Sequence, residues 1–177
     1  MQEMRQKMNV EIRQYKDTDA IPIYEAAIES CAEVSPWMAW CHDRYSYEDA
    51  VAWIEFTAAE REAGRMYDFA IYANDVYAGS CGINQINTTD KVANLGYWVR
   101  TSMTGQGIAP DAVRKLLDWG FSNTDLVRFE IVAAVDNYRS QRVAVKAGAT
   151  RDAVLRKRTM VNGRSSDAIL YSIIRDD

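Results

Sequence analysis

The stretch Gly96-Tyr97-Trp98-Val99, continued by Thr104-Gly105-Gln106-Gly107-Ile108-Ala109-Pro110, reads as a strand that delivers a glycine loop to the start of a helix. Gly105 and Gly107 lack a Cβ, so the backbone there can take dihedrals closed to other residues and bring its N–H groups against a ligand. Pro110 suits a first helical turn, where its missing N–H costs nothing and its fixed φ is already helical. The amphipathic run from Asp111 to Trp119 continues the helix, so unpaired amides and the positive end of the helix dipole point the same way. That makes an anion site out of backbone alone. A nucleoside-triphosphate loop would end in Gly-Lys-Ser/Thr and a dinucleotide loop would carry a third glycine; this chain has neither. Taken by itself, the pattern also fits a plain strand-to-helix turn.

Upstream of that loop, Val10 to Tyr15 alternates as a strand, and Asp19 stands where it would cap a helix through Ile23, Ala27 and Ile28, with Pro22 in its first turn. Ser35-Pro36 ends that pattern, and an aromatic connection through Trp37, Trp40 and Tyr45 leads to Ser46 and Asp49, spaced as a capping box. The second helix presents Val51, Ile54, Ala58 and Ala59 on one face and stops near Gly64. The period then changes to two: Tyr67–Ala73, Val76–Ile86 and Val92–Val99 read as consecutive antiparallel strands turning at Asn74-Asp75 and Thr88-Thr89-Asp90. After the helix from Gly105 to Phe121, Arg128–Ala134 is strand-like, Asn137–Ala147 is a short helix closed by Gly148, and Val154–Ile174 folds back at Asn162-Gly163. The expected fold is α+β: a twisted, mostly antiparallel mixed sheet of about seven strands, flanked by about four helices. The unit from Val92 to Ala134 demands one parallel, right-handed crossover within it. The whole chain, residues 1–177, is expected to be one domain, with residues 1–8 disordered.

Composition narrows the function. The chain has 177 residues, a formal net charge of -4 and 48% hydrophobic residues, so a nucleic-acid surface is not its main feature. No apolar run approaches the ~20 residues of a spanning helix and the start is not a secretory signal, so a cytoplasmic location is expected. Cys31, Cys41 and Cys81 lack a Cys-x-x-Cys spacing and His42 is the single histidine, so no metal site is expected. Acid–base chemistry must then rest on carboxylates, hydroxyls, backbone groups or water.

With this arrangement the chain resembles the GNAT superfamily of acyl-CoA-dependent N-acetyltransferases, in its RimJ/RimL-like branch, from Val10 to Ile174. The loop Thr104 to Ala109 is similar to the family's Gln/Arg-x-x-Gly-x-Gly/Ala pattern, with Thr104 in place of the long polar residue. Asn137-Tyr138-Arg139-Ser140, followed by Val143, Lys146 and Gly148, looks like the branch's Asn-x-x-Ser helix start and Lys-x-Gly ending. Gly96-Tyr97-Trp98, Trp37-Met38-Ala39-Trp40 and the closing hairpin around Asn162-Gly163-Arg164 are further matches.

The resemblance implies acetyl-CoA as co-substrate, no metal, and an amine acceptor. Its pantetheine arm would pair with backbone at Trp98 and Val99, and its pyrophosphate would meet Thr104, Gly105, Gln106, Gly107, Ile108 and Ala109. Asn137 would line the arm while also capping its helix, and Arg142, with Arg139, would meet the ribose phosphate. Ser140 matches the position whose hydroxyl donates a proton to the leaving thiolate; the tyrosine other GNAT enzymes use a turn later is Ala144 here. Trp37, Trp40, Tyr45, Tyr47 and Trp53 could wall the acceptor pocket or simply pack in the core; Trp37 and Trp40 are the pocket candidates, and Trp53 reads as core. Relatives often carry a base just before Gly96, where this chain has Asn94, which cannot accept a proton near neutral pH; Glu130 on the next strand is the nearest carboxylate, acting through water.

A weak base favours a low-pKa acceptor. An α-amine of pKa ~8 is roughly a tenth neutral at pH 7, whereas a lysine near ~10.4 is neutral less than about once in a thousand. A protein N-terminal α-amine is therefore the expected acceptor, attacked in a ternary complex without a covalent enzyme intermediate. A polyamine, aminoacyl conjugate or antibiotic amine is the enzymatic alternative, and a non-catalytic CoA-binding domain the other. The resemblance also implies a possible homodimer.

Overall fold

A computed structural model describes residues 8–175. The expected disorder over residues 1–8 falls on 1–7, outside the described residues; Met8 is half-buried against the core. The elements run β1 (Val10–Arg13), α1 (Ala20–Val34), α2 (Tyr47–Glu62), β2 (Tyr67–Ala73), β3 (Val76–Asn87), β4 (Val92–Val99), α3 (Ile108–Asn123), β5 (Arg128–Ala134), α4 (Tyr138–Lys146), β6 (Thr150–Val161) and β7 (Arg164–Ile174). The seven strands form one sheet in the order β1-β2-β3-β4-β5-β7-β6. Among the described residues only β4 and β5 pair in parallel, and the other strand pairs are antiparallel.

Alternation along the strands sorts the side chains into two cores. Phe69 and Ile71 of β2, Cys81 and Ile83 of β3, and Ala93 and Leu95 of β4 face α3, which contributes Ile108, Val113, Leu116 and Leu117, with Ala144 and Ala147 at α4. Ala70, Tyr77 and Trp98 face the other way, against Ile23, Ala27 and Val34 of α1 and Ala50 and Ile54 of α2. Helices thus cover both faces, and the tip of β4 contributes to both: Tyr97 to the α3 side, Trp98 to the α1–α2 side.

Local signals hold at most element ends. The Ser46 hydroxyl accepts from the Asp49 N–H at 3.2 Å and Asp49 accepts in return from the Ser46 N–H at 2.8 Å, completing the capping box of α2. Asn74 and Asp75 both take positive φ in the β2–β3 turn. Asp19 differs from expectation: it precedes α1 without capping it, because its carboxylate accepts two 2.8 Å bonds from Arg13 and one of 2.7 Å from the Tyr72 hydroxyl. The terminal hairpin also begins earlier than expected, at Thr150 rather than Val154.

Candidate active site

β4 and β5 pair only through Val92–Asn94 and Arg128–Glu130. Beyond Asn94, β4 stays in register with β3 as far as Val99, and β5 with β7 as far as Ala134, so the two parallel strands part. The edge of β4 at Trp98 and Val99 thereby turns its backbone groups toward the gap.

The segment leaving β4 is clamped to α1. Arg100 Nε donates to Glu29 at 3.0 Å with a second bond from Nη2, the Ser102 N–H donates to Glu29 Oε1 at 2.8 Å, and the Thr101 N–H donates to Ser30 Oγ at 3.0 Å. The Arg100 guanidinium holds the Glu29 carboxyl down at about 2. The glycine loop leaves this clamp with Gly105 at φ +75° and Gly107 at φ +81°, left-handed values that a side chain disfavours. The Asp111 N–H is bonded back to the Gly107 carbonyl at 3.3 Å, so the amides of Gly107, Ile108 and Ala109 lie ahead of the first intrahelical bond. The Thr104 hydroxyl turns inward and donates to the Thr101 carbonyl at 2.9 Å.

A cavity of about 570 Å³ opens over this loop. It takes in every cofactor-binding residue expected from sequence except Gln106, whose side-chain amide is directed to the Ser102 carbonyl at 3.4 Å. Arg139, Arg142 and Lys146 bring positive charge to the same wall. Free amides, cationic side chains and an open strand edge suit a pyrophosphate carrying a peptide-like arm.

Asn137 caps α4, its Oδ1 accepting the Ser140 N–H at 3.1 Å. The cap sets Ser140 against Tyr97: the two hydroxyls are 3.0 Å apart, and the phenol also donates to the Ser140 carbonyl at 2.9 Å. Burial raises the Tyr97 phenol to about 12, so it is a protonated donor. Sequence reasoning placed Tyr97 in a motif and gave it no role; alternation alone could have shown that Tyr97 and Trp98 face opposite sides.

A second cavity, of about 720 Å³, lies under α1 and α2 and shares Trp37, Met38, Tyr97 and Trp98 with the first. The Trp40 ring meets Trp98 at a tilt, 5.2 Å between centroids, and Tyr45 edge-on at 5.6 Å. Trp53 also lines this cavity, while Tyr47 stands exposed outside both. On its floor lies a polar chain: Trp53 Nε1 donates to the Tyr15 hydroxyl at 3.3 Å, that hydroxyl meets Asp68 Oδ1 at 2.7 Å and Ser80 Oγ at 2.6 Å, and Ser80 is 3.0 Å from the Tyr77 hydroxyl. Glu130 lines neither cavity; its carboxylate accepts from Arg128 Nε at 2.8 Å, and Arg128 also binds Asp152 at 2.6 Å. Asn94 donates to Asn84 Oδ1 at 2.9 Å. Among the described residues no group of three or more His, Cys, Asp or Glu could hold a metal, and no helix is long and apolar enough to cross a membrane.

Comparison with known proteins agrees with this geometry. Residues 9–150 match the acetyltransferase (GNAT) domain. The ribosomal-protein-serine acetyltransferase of Escherichia coli strain K12 is 26% identical over 168 residues, 95% of this chain and 94% of the relative. Mycobacterium smegmatis RimJ, solved with a CoA disulfide, is 26% identical with a TM-score of 0.88, covering 94% of this chain and 82% of that one. The microcin C7 self-immunity acetyltransferase MccE, solved with acetyl-CoA and AMP, is 28% identical with a TM-score of 0.86, covering 93% and 92%. Since the matched domain takes in the splayed strands, the glycine loop and the Ser140 helix together, the chain belongs to the GNAT family of acetyltransferases.

Proposed function

We propose that the protein moves the acetyl group of acetyl-CoA onto the N-terminal α-amine of a protein, by direct attack in a ternary complex. The observation that carries this reading is the meeting of the two cavities at Trp37, Met38, Tyr97 and Trp98, which lets a thioester in one face an amine in the other. Acetyl-CoA supplies an activated carbonyl. Loop amides from Gly105 to Ala109 and Arg142 fix its phosphates, while the Thr104 N–H stays bonded to the Thr101 carbonyl, and the backbone at Trp98 and Val99 aligns its arm. Asn137 holds the turn that presents Ser140. The Ser140 hydroxyl gives its proton to the departing thiolate, and Tyr97, hydrogen-bonded to it, replaces that proton or steadies its lone pair. Trp37 and Trp40 wall the acceptor side. Glu130 is left out of this scheme, because Arg128 holds its carboxylate.

The protein acceptor follows the name of the Escherichia coli relative, a ribosomal-protein-serine acetyltransferase. The three cysteines are free thiols, in keeping with a cytoplasmic setting. MccE with AMP favours a second reading, a small-molecule amine. Thiol release from acetyl-CoA, measured against N-terminal peptides and small amines, decides between them: peptides are expected to turn over faster, and faster turnover of polyamines would sink the proposal.

A further inference from the structure

Asp68 is a buried carboxylate with no part in the scheme above, yet it borders the acceptor cavity. Its side chain shares the α1–α2 face of the sheet with Ala70, and its cross-strand partner on β3 is Gly82, whose own partner on β4 is Gly96. A Cβ added to Gly82 would stand 2.0 Å from Asp68 Oδ2, so the carboxylate lies across β3 in space that only glycine leaves open. Gly96 is the next strand over, about 4.8 Å away, on the stretch of β4 that has already parted from β5. Near Gly96 an added Cβ would meet only Asn84 Nδ2, at 3.8 Å. A lane over two glycines, bordered by the Asn84 amide, thus runs from the Asp68 carboxylate to the gap where the thioester is read to lie.

We infer that Asp68 receives the acceptor's ammonium group in this lane and takes its proton, acting as the base of the acetyl transfer. The inference rests on the acetyl-transfer reading above. One proton passes from R–NH3+ to the Asp68 carboxylate and on to solvent. The freed lone pair forms the C–N bond as the C–S bond breaks; the electron pair of that bond leaves on sulfur, and the amine's second proton balances the one delivered to the thiolate. The groups facing Asp68 are the Tyr15 hydroxyl and Tyr77, with Arg61 of α2, whose Nη2 donates to the Asp68 carbonyl at 2.9 Å, while the Cys81 thiol lies on the opposite face of β3. Across the cavity stand His42, Tyr45, Asp49 and Arg158. Burial lifts the Asp68 carboxyl to about 7, against the pull of Tyr15 and Arg61, which suits a base at neutral pH.

Asp68→Asn keeps the shape and the acceptor for Tyr15 while removing the base. With acetyl-CoA and an N-terminal peptide, kcat/KM for the peptide is expected to fall about eightfold at pH 6.5, with acetyl-CoA KM unchanged. The acidic limb of the profile should move from about 7 in wild type to the amine's own range near ~8, so the two enzymes converge above pH 9. An unaltered rate and limb overturn the inference, as does a loss that is uniform in pH and raises acetyl-CoA KM. If Asp68→Asn does not fold, Gly96→Ala, which the structure accommodates, carries the test: a tenfold or greater fall in peptide kcat/KM at constant CoA affinity supports the lane, and wild-type kinetics overturn it. Wild-type enzyme that releases no thiol with any acceptor sinks the acetyl-transfer reading and this one with it. Turnover that Asp68→Asn leaves untouched sinks this one alone.

Discussion

Ser140 and Tyr97 form a donor pair whose members differ in burial and reach. A hydrogen bond to sulfur strengthens only as the thiolate forms, so removing it raises the barrier without loosening the ground state. Ser140→Ala is expected to lower kcat by about 100-fold while calorimetry finds CoA affinity within about twofold of wild type. Equal loss of kcat and affinity would refute the role. Tyr97→Phe should cost less, and the double variant should fall short of the product of the two, because they share one bond. Gly107 answers to conformation rather than space: nothing lies within 4 Å of an added Cβ, yet φ is +81°. Gly107→Ala is therefore expected to cost about 1 kcal/mol of stability, and to weaken CoA binding by turning the helix-start amides; melting and calorimetry read the two effects separately.

Among the elements, α1 holds the segment between β4 and α3 in place. Three of its side chains, Glu29, Ser30 and Glu33, bond to residues 100–102, just ahead of the phosphate loop. Glu29→Gln is expected to cost about 1 kcal/mol and to weaken CoA binding severalfold through loosened loop anchorage. The Glu29 carboxyl sits at about 2 in the folded protein against an ordinary 4.5. Its contribution is therefore complete above 4.5 and is lost as pH falls toward 2, so wild type and variant should converge in acid melts. These elements were readable because periodicity and caps are local: Ser46 and Asp49 lie three residues apart, as do Asn137 and Ser140. The start of β6 was not readable. Thr150, Arg151 and Asp152 are exposed on an edge strand, so no apolar alternation marks them. Asp19 misled for a related reason, since Tyr72, which takes up its carboxylate, is 53 residues away.

At the scale of the whole molecule, the floor of the second cavity exists only because the sheet's register sets Asp68 beside Gly82 and Gly82 beside Gly96, while Tyr15 reaches in from just past the first strand. Of those residues only Gly96 stands in a motif along the chain, so sequence reading gathered the residues that line the cavity over the glycine loop and left the Asp68 carboxylate unseen. Placing a carboxylate there has a consequence for stability. Unfolded, the Asp68 carboxyl titrates near its ordinary 3.8; folded, burial raises it to about 7. The native state thus favours the protonated acid, so the stabilising contribution is full below 3.8 and is lost as pH rises through 7. At pH 8 the folded protein carries an ionised carboxylate in a buried place, a cost on the order of 2–4 kcal/mol with the bond from Tyr15 and the pull of Arg61 already counted. An amide at this position has no such titration and still accepts from Tyr15, though its own N–H groups need acceptors. Asp68→Asn is accordingly expected to melt roughly 3–6 °C above wild type at pH 8, and the gap should close toward pH 4. A variant that melts below wild type at pH 8 would show that the charge is well accommodated in the fold, and would remove the trade of stability for basicity that this position implies.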